Sequence, residues 1–445
     1  MNPSRNTRDR SPARSGSPSA EHPRACRRAF RTLRGFVAAC LVAATATATA
    51  QDEEPERTAP PDPYTGGRAD ALDALGYVRM GRLTWASDHD TARIEEDLGK
   101  IPFRWIETAH FRLGCALPKQ DVPRDKEDRK ALREELDELA QRLPGLKPRS
   151  VRELDPWLRA HLFAQRLESL YERFTTLAGV ADTAFPAEDA PFFRGDAPPN
   201  QKWMGRGPHL GMKGKFLVLL CPTGATCTRY LRTYTEALHG DEMPSRWYFD
   251  QADAFLFATA PDYGDGAFQS DRAMHAHVVF NVAHNLIDAF KGYSYEIPAW
   301  WKEGLAHVLR REVSTEHNNF SEIDENSQRA YQTFDWDVKV RQRDDNGLVR
   351  PLAEILDKTR CTDFDLIDHA ACWSRVSFLL DAREPSSFAT FLDRMKGQVD
   401  SQGAPPDPAI LARIQREALE EAFGGDPDAL DAEWRTWMRR RYRSR

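Results

Sequence analysis

The sequence predicts an α+β fold, and three short patterns support that class. Residues 215–220 and 254–259 are runs of six residues that are almost wholly apolar, which is typical of buried strands. Residues 105–114 alternate between apolar and polar side chains and predict one further strand. Strands in the first part of the chain, with helical patterns around and after them, indicate an α+β arrangement.

The helical patterns divide the chain into two parts. A charged pattern predicts a helix over 124–143, and a longer amphipathic pattern predicts one over 152–179. After Gly266 the patterns are mainly helical to the end of the chain. We therefore expect an α+β subdomain over 69–267, followed by or continuous with a mainly helical subdomain over 268–445.

The amino-acid composition limits the classes of function that this chain can have. The chain has 445 residues, 41% of them hydrophobic, which is enough for a sizeable core. Its net charge is −6, yet the first 50 residues carry nine Arg and two acidic residues, so the remainder carries −13. Because nonspecific binding to nucleic acid needs a basic surface, we expect no nucleic-acid partner.

The N-terminus has the pattern of an export signal. Five arginines between Arg24 and Arg34 precede an alanine-rich run over 35–50, which ends in the small-x-small sequence Ala48-Thr49-Ala50. The run is too short and too weakly apolar to span a membrane stably. We expect a signal peptide over 1–50 with cleavage after Ala50, a flexible linker over 51–68, and a secreted or periplasmic mature chain without a transmembrane span. The sequence leaves open whether export is of the general or the twin-arginine type.

Five cysteines remain after the expected cleavage. Two pairs, Cys221 with Cys227 and Cys361 with Cys372, are close enough in sequence to form disulfides in an oxidising compartment, whereas Cys115 is left over. Five buried thiols are the alternative, and the spacing does not decide between them. No pair has CxxC spacing, so a thiolate zinc site is not indicated.

The first of two adjacent helices carries a polar stripe. Ser270 is a suitable N-cap for a helix that runs to about residue 291 and is mostly apolar. His277, Asn281, His284 and Asp288 lie at offsets of 0, 4, 7 and 11, which places them along one side of that helix. Polar groups on a largely buried helix need partners, so we expect His277, Asn281 and Asp288 to line a cleft.

The second helix follows at once, beginning near Pro298. Glu303 and His307 are four residues apart and share a face. Gly304 between them lowers helix stability by about 1 kcal/mol relative to alanine. That cost indicates close packing against another backbone, for which the preceding helix is the natural candidate.

This helix pair resembles the gluzincin class of zinc metallopeptidases. Residues 298–306, Pro-Ala-Trp-Trp-Lys-Glu-Gly-Leu-Ala, match the pattern P-x-W-x-x-E-G-x-A of many secreted bacterial members. The resemblance implies a zincin-like fold, with a zinc-binding HExxH motif on the first helix and a third ligand, Glu303, on the second. His284 then corresponds to the second His of HExxH.

The resemblance fails at two positions of the motif. In that register Phe280 stands at the first zinc ligand and Asn281 at the general base. Phe has no lone pair to donate, and neutral Asn is not a base for a zinc-bound water. No catalytic residue of the family motif is therefore intact.

Two interpretations of the remaining residues stay open. His284, Glu303 and His307 can form a rearranged zinc site, because Glu303 and His307 at i, i+4 can both reach an ion held by His284. Alternatively, Glu303 is a buried carboxylate that pairs with His284 or an arginine, and His307 is an ordinary surface histidine. Trp300 and Trp301 are expected in the core.

Three functions follow from these interpretations. The first is an exported pseudopeptidase that binds a peptide, a protein or an envelope component without hydrolysis. The second is a divergent zinc hydrolase that uses His284, Glu303 and His307 as ligands. The third is a structural envelope protein in which the polar residues only fix the helix packing.

Overall fold

The computed structural model describes residues 59–187, 204–235, 245–291, 298–318, 335–396 and 408–443. The predicted signal peptide and the first part of the predicted linker, residues 51–58, lie outside the described residues. The described elements belong to one compact unit, Pro55–Arg445, which contains both predicted subdomains.

Eight strands and fourteen α-helices are described in this unit. The strands are β1 (Arg79–Met80), β2 (Arg104–Glu107), β3 (Phe111–Cys115), β4 (Gln120–Asp121), β5 (Glu153–Leu154), β6 (Phe216–Leu220), β7 (Ser245–Phe249) and β8 (Ala254–Thr259). The helices are α1 (Ala69–Ala74), α2 (Thr91–Asp97), α3 (Lys126–Arg142), α4 (Pro156–Ala178), α5 (Gly224–Tyr234), α6 (Tyr263–Gly266), α7 (Asp271–Ala289), α8 (Ala299–Val313), α9 (Trp336–Asp345), α10 (Leu352–Ile355), α11 (Leu366–Ala382), α12 (Pro385–Met395), α13 (Pro408–Phe423) and α14 (Pro427–Arg441).

The six-stranded sheet has the order β1-β2-β3-β6-β8-β7 and is mixed. Its three central strands are parallel, with Leu113 beside Val218 and Val218 beside Phe257, whereas the outer strands pair antiparallel. Strands β6 and β8 are buried along their whole length, which explains why both read as continuous apolar runs. The α+β prediction is confirmed, as are the strands predicted over 215–220 and 254–259.

The prediction of a single strand over 105–114 is wrong, because this stretch is a hairpin of β2 and β3. The chain reverses at Thr108, whose backbone N–H donates to the carbonyl of Phe111 and whose hydroxyl accepts from the N–H of Phe111. The strands then pair antiparallel, with Trp105 beside Gly114. The alternation of apolar and polar residues continues through the turn, so this periodicity alone does not reveal that the chain reverses.

Helices α4 and α7 connect the sheet to the helical part of the chain. α4 packs on β2 and β3, α7 packs on β7 and β8, and the two helices contact each other. α8 then packs on α7 and also on α11. The sheet therefore fixes α7, and α7 in turn positions α8, which carries Glu303.

The end of the stretch expected to be a linker, residues 59–68, is held against α4. The Trp157 indole N–H donates to the carbonyl of Pro60 over 2.7 Å, and the Tyr64 hydroxyl bonds to Asp155. The buried carboxylate of Asp62 lies 3.1 Å from Nε2 of His161. These contacts anchor the start of the described chain to the body.

Two further observations concern the expected membrane and disulfide properties. Among the helices of the described ranges, none has the length and apolar character needed to cross a membrane. Cys115, Cys221, Cys227, Cys361 and Cys372 are free thiols in the structure. Neither disulfide offered as an option by the sequence is formed among these residues, and the thiols of Cys221 and Cys227 are hydrogen-bonded to each other.

His110, in the turn of the hairpin, predicts a specific pH dependence of stability. It contacts Glu168 at 2.6 Å and Asp182 at 3.0 Å. Burial alone would lower its pKa, but the two carboxylates outweigh burial and raise the pKa of His110. Its stabilising effect is therefore fully present below the unfolded pKa of about 6.5 and is lost as pH rises through the folded pKa. His110→Gln should cost about 1–3 kcal/mol at pH 5.5, measured by urea unfolding, and clearly less at pH 9.

His89→Gln is a control of opposite sign. Burial lowers the pKa of His89 despite its contact with Asp88. Protonation of His89 therefore opposes folding, and the cost of its replacement should be smaller at pH 5.5 than at pH 9. An equal cost of His110→Gln at both pH values would show that the His110 ion pairs do not stabilise the hairpin turn.

Candidate functional site

The site is built on α7 and α8, the helices that carry most of the predicted residues. Ser270 caps α7, as predicted, by accepting a hydrogen bond from the backbone N–H of Ala273. Pro298 is the N-cap residue of α8. Because α8 packs against α7 and α11, side chains from three helices meet at its buried face.

Gly304 permits a close backbone approach, but to α11 and not to α7 as the sequence suggested. A Cβ atom built at Gly304 would lie 2.8 Å from the carbonyl oxygen of Cys372 and 2.6 Å from Cγ2 of Val376. Any larger residue would therefore push α8 and α11 apart. The close approach brings the first turn of α11 within reach of Glu303.

The carboxylate of Glu303 is surrounded by three imidazoles. Its Oε1 lies 3.4 Å from Nε2 of His284, and its Oε2 lies 3.5 Å from Nε2 of His307 and 3.3 Å from Nδ1 of His369. The side chains of Glu303, His284 and His307 are 0% exposed, and that of His369 is 1% exposed. We call these four residues the Glu303 cluster.

Three members of the Glu303 cluster could hold a metal ion. Glu303, His307 and His369 each offer one ligand atom, and the three atoms lie within 4.8 Å of one another. Two imidazoles and a carboxylate are donors that suit zinc and other first-row divalent metals. The sequence predicted Glu303 and His307 in such a group, but with His284 as the third member.

His284 contacts Glu303 on the other side of the carboxylate. It faces Oε1 of Glu303, whereas His307 and His369 face Oε2. Neither ring nitrogen of His284 makes a hydrogen bond to the described residues. The structure thus brings the two predicted histidine ligands to the carboxylate of Glu303, but His284 lies outside the group of three residues that could share an ion.

His369 is the residue that the sequence interpretation missed. It lies in the first turn of α11, a helix whose buried residues include Ala370, Ala371, Cys372 and Val376. A histidine in so apolar a stretch is the same signal that drew attention to His284. What the sequence did not offer was a reason to connect α11 with α8, which lie about sixty residues apart.

His307 is a buried residue, so its interpretation as a surface histidine is wrong. Its ring is enclosed by those of Phe280, Trp336 and His369, with centroids 5.0, 4.8 and 5.6 Å away. The rings of Trp336 and His369 come from α9 and α11, which the local pattern of α8 does not reveal. Trp300 and Trp301 are fully buried, which confirms their prediction as core residues.

Phe280 fills the position that the resemblance assigns to a first zinc ligand. It is 1% exposed, and its ring centroid lies 4.8 Å from that of His284 and 5.0 Å from that of His307. An apolar ring thus packs against both histidines. The Phe280 ring therefore excludes water from the side of the cluster on which it lies.

The other predicted cleft residues are bonded locally. The side-chain N–H of Asn281 donates to the carbonyl of His277 over 3.0 Å and contacts Nδ1 of the same residue. Nε2 of His277 lies 3.1 Å from the hydroxyl of Thr259 on β8. Asp288 accepts from Nζ of Lys302 over 2.6 Å. These contacts join α7 to the sheet and to α8.

Burial and charge set the ionisation of the cluster. Burial lowers the pKa of His284 and His307 well below the usual value. Burial alone would raise the pKa of Glu303, but the charge interaction with His284 and the hydrogen bond with His369 hold it well below its usual range. A carboxylate beside imidazoles is a set of donors that can bind a divalent metal.

Replacing Gly304 tests the close approach of α8 and α11. Gly304→Ala should destabilise the protein by about 1–3 kcal/mol in urea unfolding, because the new methyl overlaps α11 and this outweighs the gain in helix propensity. The matched control is Gly145→Ala, where a Cβ meets nothing within 4 Å, and the change should be within about 0.5 kcal/mol. A Gly304→Ala protein as stable as the wild type would contradict the close packing.

Comparison with known proteins yields no relative for this chain. It matches no family model, no curated protein and no solved structure. The gluzincin resemblance therefore stays a prediction that rests on residues 298–306, while the capacity for a metal ion rests on the geometry of Glu303, His307 and His369.

Proposed function

We propose that this chain is an exported pseudopeptidase: a protein with a zincin-like fold that binds a peptide, a protein or an envelope component and does not hydrolyse it. The observation that supports the proposal is Phe280, the residue that the resemblance aligns with the first zinc ligand, which packs against His284 and His307. A phenyl ring at that place offers no donor for a catalytic zinc.

The position of the general base supports the same function. Asn281 is neutral, and its side-chain N–H is directed to His277 of its own helix. It does not provide the carboxylate that takes a proton from a zinc-bound water. The ligand and the base are thus both replaced in one turn of α7.

Burial favours this proposal over a divergent zinc hydrolase. A catalytic zinc keeps one coordination position open to water or substrate. The side chains of Glu303, His307 and His369 are at most 1% exposed, so a polypeptide substrate has no direct approach to them. We propose zinc as the ion that this group holds, in a structural capacity.

A cleavage assay tests the absence of hydrolysis. Protein purified from cells that express the full chain should leave casein and a mixed peptide library intact, with or without added zinc, as followed by mass spectrometry. Cleavage that a chelator abolishes would contradict the proposal. Glu303→Gln is the control for contamination, because activity that survives this substitution does not come from the Glu303 cluster.

Export predicts a defined mature N-terminus. When the full chain is expressed in a Gram-negative host, the periplasmic fraction should contain a protein that begins at Gln51, measured by intact mass and N-terminal sequencing. Ala48→Asp with Ala50→Asp should block this processing, because the cleavage site requires small residues. Full-length protein confined to the cytoplasm would contradict export and leave the non-hydrolytic assignment untouched.

A further inference from the structure

We propose that Glu303, His307 and His369 form a buried divalent-metal site that ties α8 to α11, with His284 orienting the carboxylate from its second oxygen. This site differs from the one that the resemblance implies, because two of its three ligands lie outside the family positions. This metal site depends on the proposed function in one respect, namely that the bound ion has a structural and not a catalytic role.

The distances fit a metal without large rearrangement. Two zinc bonds of about 2.0–2.1 Å at a tetrahedral angle place their ligand atoms about 3.4 Å apart. Oε2 of Glu303 is 3.5 Å from Nε2 of His307 and 3.3 Å from Nδ1 of His369. The remaining pair of ligand atoms, one from His307 and one from His369, lies within 4.8 Å, compared with about 3.4 Å in a tetrahedral site.

The helix packing explains why these three side chains meet. Glu303 and His307 lie one turn apart on the same face of α8. Gly304 between them approaches the carbonyl of Cys372, which lies one turn after His369 on α11. The absence of a side chain at residue 304 therefore sets the spacing that brings His369 to the carboxylate.

His284 has a supporting position. It approaches Oε1 of Glu303 at 3.4 Å, whereas the two proposed imidazole ligands approach Oε2. The buried ring of His284 therefore limits where this carboxylate can lie, as residues around the ligands of a metal site commonly do. Through Glu303, α7 is thus joined to the same centre as α8 and α11.

The surroundings of the three residues are aromatic and closed to solvent. His307 is flanked by the rings of Phe280 and Trp336, and His369 packs edge-on against Phe364, with ring centroids 5.6 Å apart. All three proposed ligands are more than nine-tenths buried. Imidazole and carboxylate donors suit zinc, whereas magnesium and calcium prefer sites made of oxygen alone.

Metal content and affinity test the site. The purified full-length protein, stripped and dialysed against zinc, should bind about one ion per chain, counted by inductively coupled plasma mass spectrometry. His369→Ala should lower zinc affinity at least 100-fold, and His284→Ala by about 10–100-fold, as expected for a ligand and a supporting residue. His277→Ala, a buried histidine of α7 that bonds to Thr259, is the matched control and should leave affinity unchanged.

A measurement on the wild type covers the case in which the variants do not fold. X-ray absorption of the zinc-loaded protein should show two imidazoles among the neighbours at about 2.0 Å. A protein that binds no zinc, or an affinity that His369→Ala leaves unchanged, would overturn this site. Neither result bears on hydrolysis, whereas chelator-sensitive cleavage would overturn the proposed function and leave the ligand set standing.

Discussion

A carboxylate that is wholly removed from water must be surrounded by groups that compensate its charge, and Glu303 imposes this constraint on the helical half of the protein. Its two oxygens face different helices: Oε1 faces His284 on α7, and Oε2 faces His307 on α8 and His369 on α11. Loss of one partner from such a buried group is far more costly than loss of an exposed ion pair. The relative positions of the three helices are therefore coupled through one side chain.

The sheet and Gly304 make this arrangement possible. α7 lies against β7 and β8, which are held in a mixed sheet with buried central strands. His277 adds a polar contact between α7 and Thr259 at the end of β8. On the other side, Gly304 lets α8 approach the backbone of α11 at Cys372. The position of Glu303 is thus fixed from both sides by backbone packing.

Phe280 gives the cluster its chemical character. Where a hydrolytic site needs a donor and an opening to solvent, this chain has an aromatic ring that packs on two histidines. The ring of Phe280 covers one side of the two histidines with apolar surface. The polar atoms of the cluster therefore have one another as neighbours on that side in place of water. The phenyl ring therefore favours a closed centre over an accessible one.

Local signals in the sequence predicted the helix termini and several of the site residues well. Ser270 as a cap and the close packing at Gly304 follow from rules that act within one or two turns. The rest depends on long-range contacts. The hairpin at Thr108 was hidden because alternation passes through its turn, His307 was misjudged because α9 and α11 bury it, and His369 was missed because nothing local links α11 to α8. Residues far apart in the chain decide which histidines reach Glu303.

The metal site is tested most directly by an anomalous difference map from crystals of the zinc-loaded protein, with data collected above and below the zinc absorption edge. We expect one peak about 2.0–2.1 Å from Oε2 of Glu303, Nε2 of His307 and Nδ1 of His369. A peak bound by His284 and Glu303 and remote from His369, or no peak near Glu303, would contradict this expectation.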